Sequence, residues 1–194
     1  MSILASVRQA GPSGLLTSVS RTVGLGPARP WLPAGETLRA RLYRHGLEPG
    51  VGVPWLDEPG VVDAQVRLTY AASLAGSQVA VTGLALRVEN PDGSVGDVLM
   101  QARGPRRGAA RDTVLTTATP YVVAGVPGGL LTLGARQCGA ETFELLCVAG
   151  DGEWRPFGDL RVSPRPHGGR PLDPDPLANV LPGLTTRIPA PRAS

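Results

Sequence analysis

Two arginines stand inside the most strand-like stretch of this 194-residue chain, Arg67 in VRLTY (66–70) and Arg87 in TGLALRV (82–88). A guanidinium keeps its charge when buried and grips a carboxylate through two parallel N–H bonds, so its presence in an apolar strand points to an anion or a carbonyl held there. The other groups capable of chemistry are sparse. His45 follows one strand-like run and His167 sits among prolines and glycines, and neither has a nucleophile beside it in a known arrangement. GxSxG, HExxH, a Walker loop and a GxGxxG after a strand are all missing. GLGP at 24–27 is no phosphate cradle, because no helix is expected to start there. Asp57 and Glu58 are adjacent, but neighbouring side chains diverge in extended or turning backbone, which argues against a shared acid–base site. Cys138 falls in a predicted turn and Cys147 well along the next strand. Intervening residues of about 3.3 Å each hold them too far apart for a disulfide within one hairpin. With no CxxC and no His/Cys cluster, a structural zinc is not expected, and free thiols fit a reducing cytoplasm. No catalytic residue and no metal ligand is assigned.

The elements that position the arginines are short and turn-separated. ETLRARLYR (36–44) alternates, with Leu38, Ala40 and Leu42 on one face and Arg39, Arg41 and Tyr43 on the other. Period two means a strand with one buried side. Further strands are predicted near 63–70, 79–88, 96–102, 113–117, 130–136, 141–149 and 157–162. PDG at 91–93 marks a tight turn, Ala71 to Gly76 a single helical turn, and 46–60 a turn-rich connection holding Trp55. Seven or eight such strands, joined mostly by hairpin-like turns, imply a sandwich or a closed barrel, and closure removes exposed sheet edges. The fold class expected is mainly β (α+β): a closed or nearly closed antiparallel barrel of about seven or eight strands, with short N-terminal helices and a proline-rich tail.

Composition agrees. Hydrophobic residues make up 42% of the chain and aromatics only 4%, so a core must be built from Leu, Val and Ala. The 26 glycines and 20 prolines favour turns over long helices. All 19 basic residues are arginine, which reads as a bias of base composition, and the formal net charge is +3. The arginines are scattered apart from Arg103, Arg106, Arg107 and Arg111, which lack the aromatic neighbours that nucleic-acid stacking wants. No apolar run reaches the ~18 residues of a membrane span. Without the order of a secretory signal at the start, the expectation is a soluble cytoplasmic protein with no nucleic-acid partner.

The domain division expected is an N-terminal helical arm at 1–28, a barrel at 29–162 and a proline-rich tail at 163–194. In the arm, helices are predicted at 2–10 and 14–24, the second capped by Ser13, packed on the barrel or on a neighbouring subunit of a homo-oligomer. The tail holds eight prolines and is expected to wrap or stay disordered, with Leu177, Val180, Leu181 and Leu184 available to dock one turn.

VRLTY (66–70), TGLALRV (82–88) and GDVLMQA (96–102), with RPWLPAG (29–35) upstream, resemble the core of the catalase-like haem-dependent barrel superfamily over roughly residues 29–162. That family carries an RxxHxxG motif, a VRFS strand, a DxRGxAxK strand and a DLxxxN strand. The resemblance implies a haem-binding barrel. It matches Arg67 and Arg29 to arginines that hold haem propionates, and Thr69 to the serine beside the distal histidine. The histidine position is Leu32 and the distal asparagine position is Ala102. The proximal RxxxY has no C-terminal match, and Arg39 to Tyr43 spells it only on a predicted strand. Peroxide cleavage needs an acid–base group above the iron and an axial ligand below it, so the resemblance implies a barrel without catalase activity that binds haem or another apolar, carboxylate-bearing ligand. Two alternatives stay open: a haem peroxidase or hydroperoxide-converting enzyme using a residue such as His45, and a structural or assembly protein. Arg29 and Arg67 also have a structural reading, each pairing with a buried carbonyl or with a carboxylate such as Asp63 or Asp97.

Overall fold

Apolar residues at every second position need a surface to face, and in this chain they face one another across a closed barrel. A computed structural model describes residues 35–70, 81–102, 113–168 and 170–186, all within one compact unit, Ala34–Ser194. The strands are β1 (Thr37–Arg44), β2 (Gly60–Tyr70), β3 (Val81–Glu89), β4 (Val95–Ala102), β5 (Val114–Thr117), β6 (Tyr121–Val122), β7 (Leu130–Gln137), β8 (Thr142–Ala149), β9 (Arg155–Pro166) and β10 (Thr185–Thr186). A one-turn helix, α1 (Pro54–Asp57), lies between β1 and β2, and a 3-10 turn, Pro127–Gly129, precedes β7. β1 to β5 pair antiparallel in chain order, β5 pairs with β7, and β7, β8 and β9 continue the meander. β9 then returns to β1 through Ala40↔Val162, Leu42↔Leu160 and Arg44↔Gly158. Eight strands therefore close on themselves, while the two-residue β6 and β10 form a small flap beside the start of β7.

The inner face is the apolar set that the alternation predicts. Leu42, Val66, Leu84, Val88, Leu131 and Phe143 are each fully buried. Eight strands give an interior just wide enough for side chains to fill, and the cavity left among Leu86, Val98, Met100, Leu145 and Phe157 has a volume of about 10 Å³. Two of the few aromatic residues meet at one mouth. There Trp55 of α1 meets Phe157 edge-on at 6.1 Å and donates its indole N–H to Asn90 Oδ1 at 3.0 Å. Arg44, the last inward position of β1, lies over the Trp55 ring at 4.9 Å and bonds the Trp55 carbonyl. Leu181 covers the same mouth beside Gly96, where a Cβ would lie 2.4 Å from Leu181 Cδ2.

Most expected strands lie within two or three residues of their observed bounds. β9 is longer, running to Pro166 instead of ending near 162. Between Leu38 and Ala40 its register against β1 slips, and the extra β9 residues form a bulge in which Pro164 sits without a partner in the ladder. The described part of the segment after β9 wraps over the barrel wall and docks on it. Leu172, Leu181 and Leu184 are 2%, 1% and 8% exposed, whereas Leu177 is 62% exposed. The helices expected at 2–10 and 14–24, the turn at 71–76 and the arginine-rich loop at 103–112 lie outside the described residues.

Closure depends on a glycine at the β1–β9 seam. A Cβ on Gly158 would lie 2.6 Å from the Tyr43 carbonyl oxygen and 3.3 Å from Arg44 Cα, both backbone atoms that cannot swing aside. Gly158→Ala is expected to cost about 1–3 kcal/mol, as overpacking does, read as a lower denaturation midpoint with an unchanged far-ultraviolet spectrum.

Candidate functional site on the outer wall

Alternation decides where Arg67 points. Val66 and Leu68 fill the interior, so Arg67 and Thr69 project from the outer surface of β2. Arg67 is nonetheless only 9% exposed, because the segment after β9 lies over it. Its Nη1 donates to the Leu172 carbonyl at 3.0 Å, and the Leu172 N–H donates to Thr37 Oγ1 at 2.7 Å. Thr37 stands opposite Arg67 in the β1–β2 register, and its own carbonyl accepts the His167 N–H at 2.8 Å. The chain enters β1 so closely that a Cβ on Gly35 would lie 2.6 Å from the Leu68 carbonyl oxygen. Arg67 thus holds a protein carbonyl. Thr69 is half-buried on the same face, with its carbonyl accepting the Thr82 hydroxyl at 3.3 Å. Ala102 ends β4 packed against the core, and Arg29 and Leu32 lie outside the described residues.

Arg87 has the stronger partner. Its Nε and Nη2 donate to the two oxygens of Asp97, each at 2.7 Å, directly across the β3–β4 hairpin. Asp97 is fully buried under the C-terminal segment, whose Asp175 N–H and Asn179 amide both donate to Asp97 Oδ2 at 2.8 Å. The Asp97 N–H donates in turn to the Asn179 carbonyl at 2.8 Å, and Arg87 reaches the Asp173 carbonyl at 3.2 Å. Burial alone would raise the Asp97 pKa. The Arg87 guanidinium, the Asn179 amide and the Asp175 N–H outweigh it and hold the carboxyl below the ordinary carboxylate range. This pair was legible in principle. The turn at 91–93 sets Glu89 opposite Val95, which puts Arg87 opposite Asp97.

The remaining candidates are also engaged. Asp57 accepts the N–H groups of Val51, Gly52 and Val53 at 2.8, 2.8 and 2.9 Å, which ties down the loop before α1. His45 Nε2 lies 3.1 Å from Asp159 on the surface. Both cysteines are free thiols: Cys138 is exposed, and Cys147 is buried, with burial pushing its pKa up to about 11. Among the described residues no group of three His, Cys, Asp or Glu side chains is placed to hold a metal.

A cleft of about 390 Å³ opens on the outer wall where β9 bulges away from β1. β9 lends it Arg161 and Ser163, with His167 just beyond; β1 lends Arg39 and Arg41. β2 lends Asp63 and Gln65, and β3 lends Glu89. Arg41 is paired with Asp63 at 3.0 Å, and the Gln65 amide donates to Glu89 at 3.3 Å. Arg161 lies over the Tyr43 ring at 4.8 Å. The sequence reading missed this cleft, because Arg39, Arg41 and Arg161 read as the plain outer face of two strands far apart in the chain.

No protein-family model matches the chain, and no curated protein is similar to it.

Replacing Asp97 tests whether the C-terminal segment is held by that carboxylate. Asp97→Asn leaves Arg87 without its counter-charge and is expected to cost about 3 kcal/mol, with proteolysis appearing first between residues 170 and 180. In the wild type the depressed Asp97 pKa gives stability that is present above the unfolded value near 3.9 and is lost as pH falls through the folded value. Protection of the Asp175 amide, after division by its intrinsic exchange rate at each pH, should therefore fall in acid, and in Asp97→Asn it should be low at every pH.

Proposed function

We propose that this protein is a non-catalytic β-barrel that binds through its outer wall. The observation that carries this is the contrast between the two sides of the wall: about 10 Å³ of space inside and a cleft of about 390 Å³ outside. Ligand pockets run from roughly 300 to 1,000 Å³, a range that the outer cleft reaches and the small interior cavity beside Met100 and Phe157 does not. The side chains with chemical potential support the same reading, since Arg67, Arg87, Asp57 and His45 each have a protein partner. The Cys147 thiol, with its pKa pushed up to about 11, stays protonated near neutrality and is a poor nucleophile.

The resemblance to catalase-like barrels agrees with an eight-stranded closed architecture, but many unrelated proteins share that architecture, so it does not select a function. A carboxylate-bearing ligand remains the best chemical match to an arginine-rich wall. In place of the interior and Arg67, the outer surface takes it.

Haemin titration tests the reading directly. The expected result is an absorbance spectrum identical to free haemin at every ratio, with peroxide turnover at the free-haemin level. A Soret shift that saturates at one haem per chain in the wild type overturns the proposal, as does turnover above free haemin that His45→Ala abolishes.

A further inference from the structure

The charges of the outer cleft are separated. β9 and β1 supply its basic side, Arg161, Arg39 and Arg41, with His167 beside them, while β2 and β3 supply Asp63, Gln65 and Glu89. Arg41 and Asp63 neutralise each other at 3.0 Å. Among the described residues Arg39 and Arg161 have no carboxylate partner, and both are exposed. The Arg161 guanidinium is oriented by its stacking on Tyr43 at 4.8 Å, which lowers the freedom lost when it grips a ligand. His167 is held by its backbone N–H on Thr37, and its Nδ1 is buried with no hydrogen-bond partner. On the far side the exposed Glu89 carboxylate takes its hydrogen bond from the neutral Gln65 amide.

We infer that this cleft binds a short linear zwitterion, a peptide of about three residues lying across the strands, with its carboxylate on Arg39 and Arg161 and its ammonium on Glu89. The inference rests on the outer-wall reading and names its ligand. Four adjacent strands at about 4.8 Å spacing put the β9 and β3 sides about 14 Å apart. Three extended residues span about 10 Å, and the reach of the arginine and glutamate side chains covers the rest. A single amino acid is too short to engage both sides. The planar carboxylate suits the guanidinium fork, which it accepts through two parallel bonds. A phosphate dianion, unlike a zwitterion, has no positive end to set against Glu89.

Triglycine is the probe, added to the full chain and followed by calorimetry and by amide and histidine resonances. Saturable binding is expected, with the largest shifts at Arg39, Ser163 and His167. Triglycinamide, lacking the carboxylate, and N-acetyl-triglycine, lacking the ammonium, should each bind about tenfold more weakly, as loss of one charge-assisted contact implies. Arg39→Ala with Arg161→Ala should remove the preference for triglycine over its amide, and Glu89→Gln the preference over its acetyl form. These side chains are on the surface, and an unchanged thermal midpoint confirms that the variants fold. Absence of saturable binding up to tens of millimolar overturns the inference, as does equal binding of either blocked peptide. Neither outcome touches the haemin result, so the two readings fail separately.

Discussion

Closure of an eight-stranded wall is the constraint on which everything else in this protein depends. Once β9 pairs with β1, every strand has two neighbours and every inward side chain competes for one narrow interior. Leucine, valine and alanine can fill that space without many aromatics, and the result is a core with almost no free volume. Phe143 fills part of the interior, and at the mouth α1 brings Trp55 against Phe157 and beneath Arg44.

The outer wall is organised by what covers it. The C-terminal segment crosses β2, β3 and β4, and it is held by polar groups that point away from the core: Arg67 to Leu172, Thr37 to Leu172, and Asp97 to Asp175 and Asn179. Such contacts are favourable because the same segment excludes water from them. A buried carboxylate is tolerable only with a counter-charge and further donors, and Asp97 has Arg87 and two more hydrogen bonds. The bulge of β9 has the opposite effect. It leaves the neighbouring patch of wall open, and there Arg39 and Arg161 remain in water.

Much of this architecture can be read along the chain. Alternation in 36–44 correctly assigns Leu38, Ala40 and Leu42 to the inside, and the turn at 91–93 joins β3 to β4 where it is expected, with Gly93 at φ +82°. In the tail, Leu181 and Leu184 dock as the sequence allows, Leu177 stays exposed, and Leu172, which had no such signal, is buried as well. Eight prolines between 163 and 194 restrict regular hydrogen bonding, not burial. The structural reading of Arg67, pairing with a buried carbonyl, has one such acceptor in Leu172, more than one hundred residues away in the chain. No local signal carries that pairing.

The sequence by itself determined the strands and which of their faces are buried, because the period of two and the turn residues act within a few positions of one another; a sandwich and a closed barrel both satisfy that pattern. It also determined that Arg67 and Arg87 needed partners, because a guanidinium in an apolar strand must be compensated. Only the tertiary structure decided which partners those are, which side of the wall they serve and where open space remains. Those outcomes depend on the register of β9 against β1 and on the path of the C-terminal segment, and both are set by contacts between residues far apart in the chain.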